Sequence, residues 1–240
     1  MCGRYTLNSR ADVVAKVFGV PMPAMLPARY NIAPSQPVLA IRGQPQRELV
    51  ALRWGLVPFW ADDRGIGSRL TNARSETAAT KPAFRSSFRS RRCLILADGF
   101  YEWQACDGGK QPYSIRLKSG KPFGMGGLWD RWEKAGEPIE SCAILTCDAN
   151  EAMQVIHDRM PVVIPPESFD LWLDPTTKDV SRLLRPFHPD EMTAYPVSTL
   201  VNNVRNDSSK CVEPLQAVEK QSQLFSLDSS LQKRGDRSRG

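Results

Sequence analysis

Residues 93–97, Cys-Leu-Ile-Leu-Ala, are an unbroken apolar run closed by Asp98-Gly99, and this run constrains the fold more than any other stretch. Bounded by a turn signal and too short for a spanning helix, it reads as a central strand covered on both faces. A central strand needs neighbours, and the sequence offers them. Strands are expected at 2–7, 37–42, 48–53, 100–103, 111–117, 122–129, 139–146, 162–164 and 193–198, with Asp107-Gly108-Gly109 turning a hairpin. Helical pattern is confined to short pieces. Ser9 is placed to cap a helix through Phe18, with Asp12 at the box position and Gly19 and Pro21 as stops. Ser75 is placed to cap a helix from Glu76, and residues 81–92 read as a basic helix with Phe84 and Phe88 one turn apart. Asp148 is expected to cap a fourth, with Glu151 at the box position; further helices are expected from Pro165 to Trp172 and from Thr177 to Leu184. Residues 21–37 read as a Pro-rich loop or extended connector.

A chain of 240 residues suits one large domain or two small ones, and no repeat or linker divides it. One domain is expected over 1–216, followed by a disordered basic tail over 217–240. The net charge of +6 and a pI of about 9.1 are compatible with a polyanionic partner without requiring one. No apolar run approaches the roughly 18 residues of a membrane span, and the amino terminus has no signal-peptide core; a cytoplasmic protein is expected. Six irregularly spaced cysteines without a CxxC pair, and only two histidines, argue against a metal site and for free thiols.

The chain begins Met1-Cys2-Gly3-Arg4. Removal of Met1 would leave Cys2 with an α-amine (reference pKa about 8) and a thiol (about 8.5) on adjacent carbons. With an aldehyde, the amine forms an imine and the thiol closes a five-membered thiazolidine. With an amide or ester, the thiol itself could attack, its own amine serving as base. Other candidates follow along the chain. Arg29 to Pro34 combines a base, an aromatic and an amide; Arg53 to Trp60 carries Trp54, Phe59 and Trp60, which either plug a core or stack on bases. Asn72 and Arg74 precede the Ser75 cap. Glu102, set between Tyr101 and Trp103, is either an outward glutamate or a desolvated acid/base group. His157 stands before an apolar strand and is an acid/base candidate, whereas His188 reads as an exposed loop residue.

Six motifs in this order, Cys2-Gly-Arg-Tyr, Arg29-Tyr-Asn-Ile-Ala-Pro34, Arg53-Trp-Gly-Leu-Val-Pro58, Asn72-Ala-Arg-Ser-Glu-Thr77, Ala97-Asp-Gly-Phe-Tyr-Glu-Trp103 and Ile156-His-Asp-Arg-Met-Pro161, resemble the SRAP family, named for its SOS-response association and supposed peptidase activity. The resemblance spans about residues 2–205. It implies a single α+β domain around a distorted, barrel-like mixed sheet with peripheral helices and a basic groove for single-stranded DNA. It further implies capture of abasic sites: the amino-terminal cysteine forms a thiazolidine with the ring-opened sugar aldehyde, and some members also have lyase activity. By motif, Cys2 supplies amine and thiol, Glu102 shuttles protons, Asn72 orients the sugar or the cysteine, and His157 assists ring opening or β-elimination. Arg4, Arg74, Lys81 and Arg159 would hold phosphates, while Asn31, Pro34 and Trp54 would line the DNA site. The implied protein needs no cofactor and works as a monomer on abasic single-stranded DNA, nucleoid-associated when bound.

Two rival readings stand beside it. One is an N-terminal-nucleophile thiol hydrolase, a peptidase or amidotransferase, which would turn over a peptide or glutamine. The other is a plain single-stranded DNA binder indifferent to Cys2.

Overall fold

The computed structural model describes residues 2–43 and 46–215, so the expected tail from 217 onward lies outside the described residues. The first half of the chain runs β1 (Tyr5–Leu7), α1 (Ala11–Phe18), β2 (Arg29–Ile32), β3 (Pro37–Gly43), β4 (Arg47–Trp54), β5 (Asn72–Arg74), α2 (Ser75–Ala78) and α3 (Arg85–Ser90). The second half runs β6 (Arg92–Ala97), β7 (Gly99–Cys106), β8 (Gly109–Leu117), β9 (Phe123–Trp132), β10 (Ile139–Asp148), α4 (Glu151–Gln154), β11 (Arg159–Pro161), β12 (Val163–Ile164), α5 (Phe169–Leu173) and β13 (Met192–Pro196).

Two sheets share the strands. β4, β3, β6, β9 and β10 close into a barrel-like ring, because β10 pairs both β4 (parallel) and β9 (antiparallel). The run 93–97 is β6, fully buried within this ring between β3 and β9, as its apolar continuity requires. The second sheet is an antiparallel series in the order β13-β8-β7-β1-β2. The chain passes between the sheets at Asp98, where β6 ends and β7 begins. The architecture is therefore a single α+β domain with short peripheral helices. No helix among the described residues is long and apolar enough to cross a membrane.

Several local expectations are corrected. Ser9 does not cap α1; its hydroxyl and the amides of Asn8 and Ser9 converge on the Asp98 carboxylate, and Arg10 occupies the cap position. Gly19 does end α1, in the left-handed region at φ 63°. The 21–37 connector contains β2, drawn into the sheet beside β1. Asn72–Arg74 is a strand parallel to β10, and Ser75 is the first residue of a single helical turn. The basic helix shrinks to 85–90 because Arg91 pairs with the buried Asp130 and Arg92 is buried among backbone carbonyls. Asp148 ends β10 and pairs with Arg159, leaving the cap of α4 to Asn150, whose side chain accepts from Met153 N at 3.0 Å. The helix expected from Pro165 is a 3-10 turn followed by α5. The one expected from Thr177 is reduced to a 3-10 turn at Ser181–Leu183.

One motif glycine is explained by backbone contact. Gly55 has φ 132°, and a Cβ there would lie 2.6 Å from Gly67 O. Gly108 also has positive φ, 88°, but open space around it. Gly55→Ala should therefore lower unfolding free energy by about 2 kcal/mol or more, whereas Gly108→Ala should cost about 1 kcal/mol from backbone strain alone. Urea denaturation of the two variants checks this, and equal losses would show that the Gly67 contact is unimportant.

Candidate active site

Four separate elements bring the expected reactive residues together. Tyr101 N donates to Arg4 O at 3.0 Å, which fixes β7 against the residues just ahead of β1 and sets Glu102 near Cys2. From β5, Asn72 Nδ2 donates to Cys2 O at 2.9 Å. His157 follows α4, its amide closing on Met153 O at 2.9 Å, and its Nε2 stands 3.9 Å from Glu102 Oε2. Arg159 N donates to His157 Nδ1 at 2.9 Å, and the Asp158 carboxylate stands 2.9 Å from the same nitrogen, while Nε2 faces Glu102.

Burial decides the electrostatics. Cys2 is wholly buried, and this pushes its thiol pKa up; the nearby charge of Glu102 adds to the effect. In this environment the thiol stays protonated, its pKa well above the reference value. Glu102 is 4% exposed, with neighbours Tyr101 and Phe100 buried as well, so the first half of β7 is covered on both faces and the outward-glutamate reading fails. Burial raises the Glu102 carboxyl to about 7, with Asp158 acting in the same direction and Lys110 against it. His157 is pushed below its usual pKa, chiefly by burial. All three groups are thus biased toward their neutral forms.

The expected DNA contacts divide. Arg74 and Lys81 are exposed, and Pro34 is half-buried. Pro34 precedes Ser35, held at a left-handed φ of 71° with its amide on Trp54 O at 2.7 Å. Arg4 is half-buried and donates to Val201 O at 2.8 Å. Three others are turned inward. Trp54 is fully buried, donating to Thr71 O and meeting Tyr5 edge-on, so it offers no face to a base. Asn31 is fully buried, its amide nitrogen within hydrogen-bond distance of the carbonyls of Val201, Asn203 and Asn206. Arg159 is committed to Glu76 and Asp148. The exposed aromatics of the Arg53–Trp60 motif are instead Phe59 and Trp60, with the Arg91 guanidinium over the Phe59 ring.

A cavity of about 420 Å³ opens at Glu102 and His157, walled by Trp103, Lys110 and Asn202. These three were not singled out from sequence. Trp103 was visible beside Glu102, but Lys110 and Asn202 arrive from a hairpin and a distant loop whose folding brings them there. Trp103 Nε1 donates to Asn202 Oδ1 at 2.8 Å, tying that wall together. Among the described residues no group of three or more His, Cys, Asp or Glu is arranged to hold a metal ion.

Comparison with known proteins agrees with this arrangement of motifs. The family profile described as SOS response associated peptidase (SRAP) matches residues 1–204. The chain belongs to the SRAP family. Among its relatives, the abasic site processing protein YoqW of Bacillus subtilis is 43% identical over 224 residues, covering 89% of this chain and 99% of YoqW. The abasic site processing protein HMCES of Gallus gallus is 36% identical, covering 78% of this chain and 66% of HMCES. The SRAP chain also superposes on the crystal structure of a Bacteroides thetaiotaomicron protein with TM-score 0.80 at 27% identity, covering 90% of this chain and all (100%) of that one.

The raised Glu102 carboxyl has a stability signature. Below pH of about 4.5 it is protonated in both folded and unfolded chains; between there and about 7 only the folded chain keeps the proton. Burying the carboxylate therefore lowers stability progressively across that window and by a constant amount above it, on the order of 3 kcal/mol. Glu102→Gln should gain stability relative to wild type as pH rises from 4.5 to 7, with no further gain beyond. Denaturation midpoints across pH measure this, and parallel profiles would contradict the burial effect.

Proposed function

We propose that this SRAP protein recognises abasic sites in single-stranded DNA and bonds to them through Cys2 after Met1 is removed, shielding the lesion as part of the DNA damage response. The carrying observation is the buried Cys2 beside a carboxyl that titrates near neutrality, with Asn72 on the Cys2 carbonyl. The relatives' names, abasic site processing protein, support the substrate.

The chemistry follows from which groups are neutral. A buried thiol is a poor first nucleophile, so the amine attacks the aldehyde carbon and gives a carbinolamine. Glu102, in its acid form, protonates the departing hydroxyl, and loss of water leaves an imine. The thiol then adds to the imine carbon, its proton passing to the imine nitrogen by way of Glu102, which closes the thiazolidine. The net change is one water released. His157 assists ring opening of the sugar as its imidazolium, and as the neutral imidazole it can remove the C2′ proton that begins β-elimination. Asn72 Oδ1 is buried with no hydrogen-bond partner among the described residues and is an acceptor suited to the Cys2 amine or a sugar hydroxyl. The same raised thiol pKa weighs against the thiol-hydrolase reading, in which the amine would have to take the proton of a thiol held well above its usual pKa.

On the surface, Arg74, Lys81 and the accessible part of Arg4 hold phosphates, Pro34 borders the lesion, and Phe59 and Trp60 stack on bases in the role first considered for Trp54. The protein acts as a monomer in the cytoplasm and joins the nucleoid when bound.

Intact mass of untagged protein after incubation with a single-stranded oligonucleotide carrying one abasic site should show a heat-stable species equal to the Met1-less chain plus DNA minus one water. Cys2→Ala should keep salt-dependent binding and lose this species; Glu102→Gln should slow its formation by about 10²-fold. A Cys2→Ala protein that still forms the heat-stable adduct, or a processed wild type that forms none, would overturn the proposal.

A further inference from the structure

Lys110, the second residue of β8, lines the cavity that also contains Glu102, Trp103, His157 and Asn202. It is exposed, and its ammonium makes no hydrogen bond or ion pair with any described residue. Three arginines of the motif segments are otherwise engaged. Arg4 donates to Val201 O, Arg29 to Asp207 and Gln36, and Arg159 to Glu76, Asp148 and Thr146 O. Lys110 is thus a cation held at the mouth of the cavity with its charge uncommitted. That charge reaches the floor: it favours the ionised form of Glu102 and disfavours protonation of His157.

An unpaired ammonium beside a cavity is a ready partner for an anion. Two other lining residues, Trp103 and Asn202, are tied together by a hydrogen bond, so a group entering the cavity meets a fixed pair of side chains and a charged, adjustable one. A deoxyribose in a DNA strand brings such an anion with it, since a phosphate flanks it on each side. Phosphate contacts set register and orientation, and lysine serves them as a mobile point charge. We propose that Lys110 binds one of the two phosphates directly flanking the abasic sugar and thereby sets that sugar against Cys2 and Glu102. This rests on the function proposed above and adds a phosphate-binding residue to it.

The two flanking phosphates can be neutralised one at a time by methylphosphonate substitution. Single-turnover crosslinking would be measured for wild type, Lys110→Met and Lys110→Arg on the unmodified strand and on each substituted strand. For one flank, neutralisation should slow wild type about tenfold, Lys110→Met should be slowed about tenfold on the unmodified strand, and the two changes together should cost no more than either alone. Lys110→Arg should retain most of the rate and the sensitivity to that flank. Additive losses at both flanks, or a Lys110→Met protein that crosslinks at the wild-type rate, would overturn the assignment. The substitution lies on an exposed hairpin, and unchanged thermal unfolding would confirm an intact fold. Binding of the same strands by fluorescence anisotropy gives an equivalent cycle without a covalent step. If wild type binds but never crosslinks, the proposed chemistry fails while coupling between Lys110 and the flanking phosphate still decides this assignment.

Discussion

β1 is hydrogen-bonded along both edges, Tyr5 opposite Ile32 on one side and Phe100 on the other, and this double pairing fixes where Cys2 can be. Chain ends ordinarily fray because few contacts hold them. A strand of three residues placed inside a sheet cannot fray without opening the sheet on both sides. Tyr5 reinforces the position by burying its ring against Trp54, centroids 5.4 Å apart. The neighbouring strand that holds β1 is also the one carrying Glu102. Cys2 and the Glu102 carboxyl are therefore set relative to each other by backbone pairing, not by side-chain contact alone.

That placement puts both groups out of water, and the consequence is chemical. A thiol and a carboxyl desolvated together each resist ionisation, and the charge of Glu102, once formed, makes ionisation of the Cys2 thiol harder still. The arrangement suits a reaction that transfers protons among neutral partners and expels water, and it suits poorly one that begins with a thiolate. His157 is drawn into the same economy of charge through the amide of Arg159, which donates to Nδ1. The Arg159 side chain braces this amide from below, bridging Glu76 after β5 and Asp148 at the end of β10. An arginine read as a phosphate ligand thus serves the site through its backbone.

Strand positions were legible because turn residues and apolar runs carry them locally: β6 from its continuous apolar run, the β7–β8 hairpin from Asp107-Gly108-Gly109, the end of α1 from Gly19. Caps were misread where a distant group outcompeted local spacing. Ser9 has box spacing with Asp12, yet Asp98 offers a carboxylate to its hydroxyl and to two adjacent amides. Asp148 likewise has box spacing with Glu151 but is taken by Arg159. The motif residues that meet at Cys2 were legible as a set; which motif residues turn inward was not. Trp54 and Trp60 share one motif, and only the packing of β4 onto Tyr5 buries the first and leaves the second 41% exposed.

Asn31 shows why an inward residue can still govern the site. One amide nitrogen on β2 reaches three carbonyls of the 201–206 loop, and its Oδ1 lies 3.5 Å from Arg4 Nη1. Without those partners the carbonyls would be left short of donors, at about 1–3 kcal/mol for each buried group that water cannot reach. The loop therefore takes its shape from β2, the strand that also pairs with β1. Asn202, within the same loop, then accepts from Trp103 on β7, the other partner of β1. Cavity wall and cysteine are consequently tied to the same two strands. A shift of β1 would move the wall with it, so the distance between the cavity wall and Cys2 is set by the sheet and not by the loop.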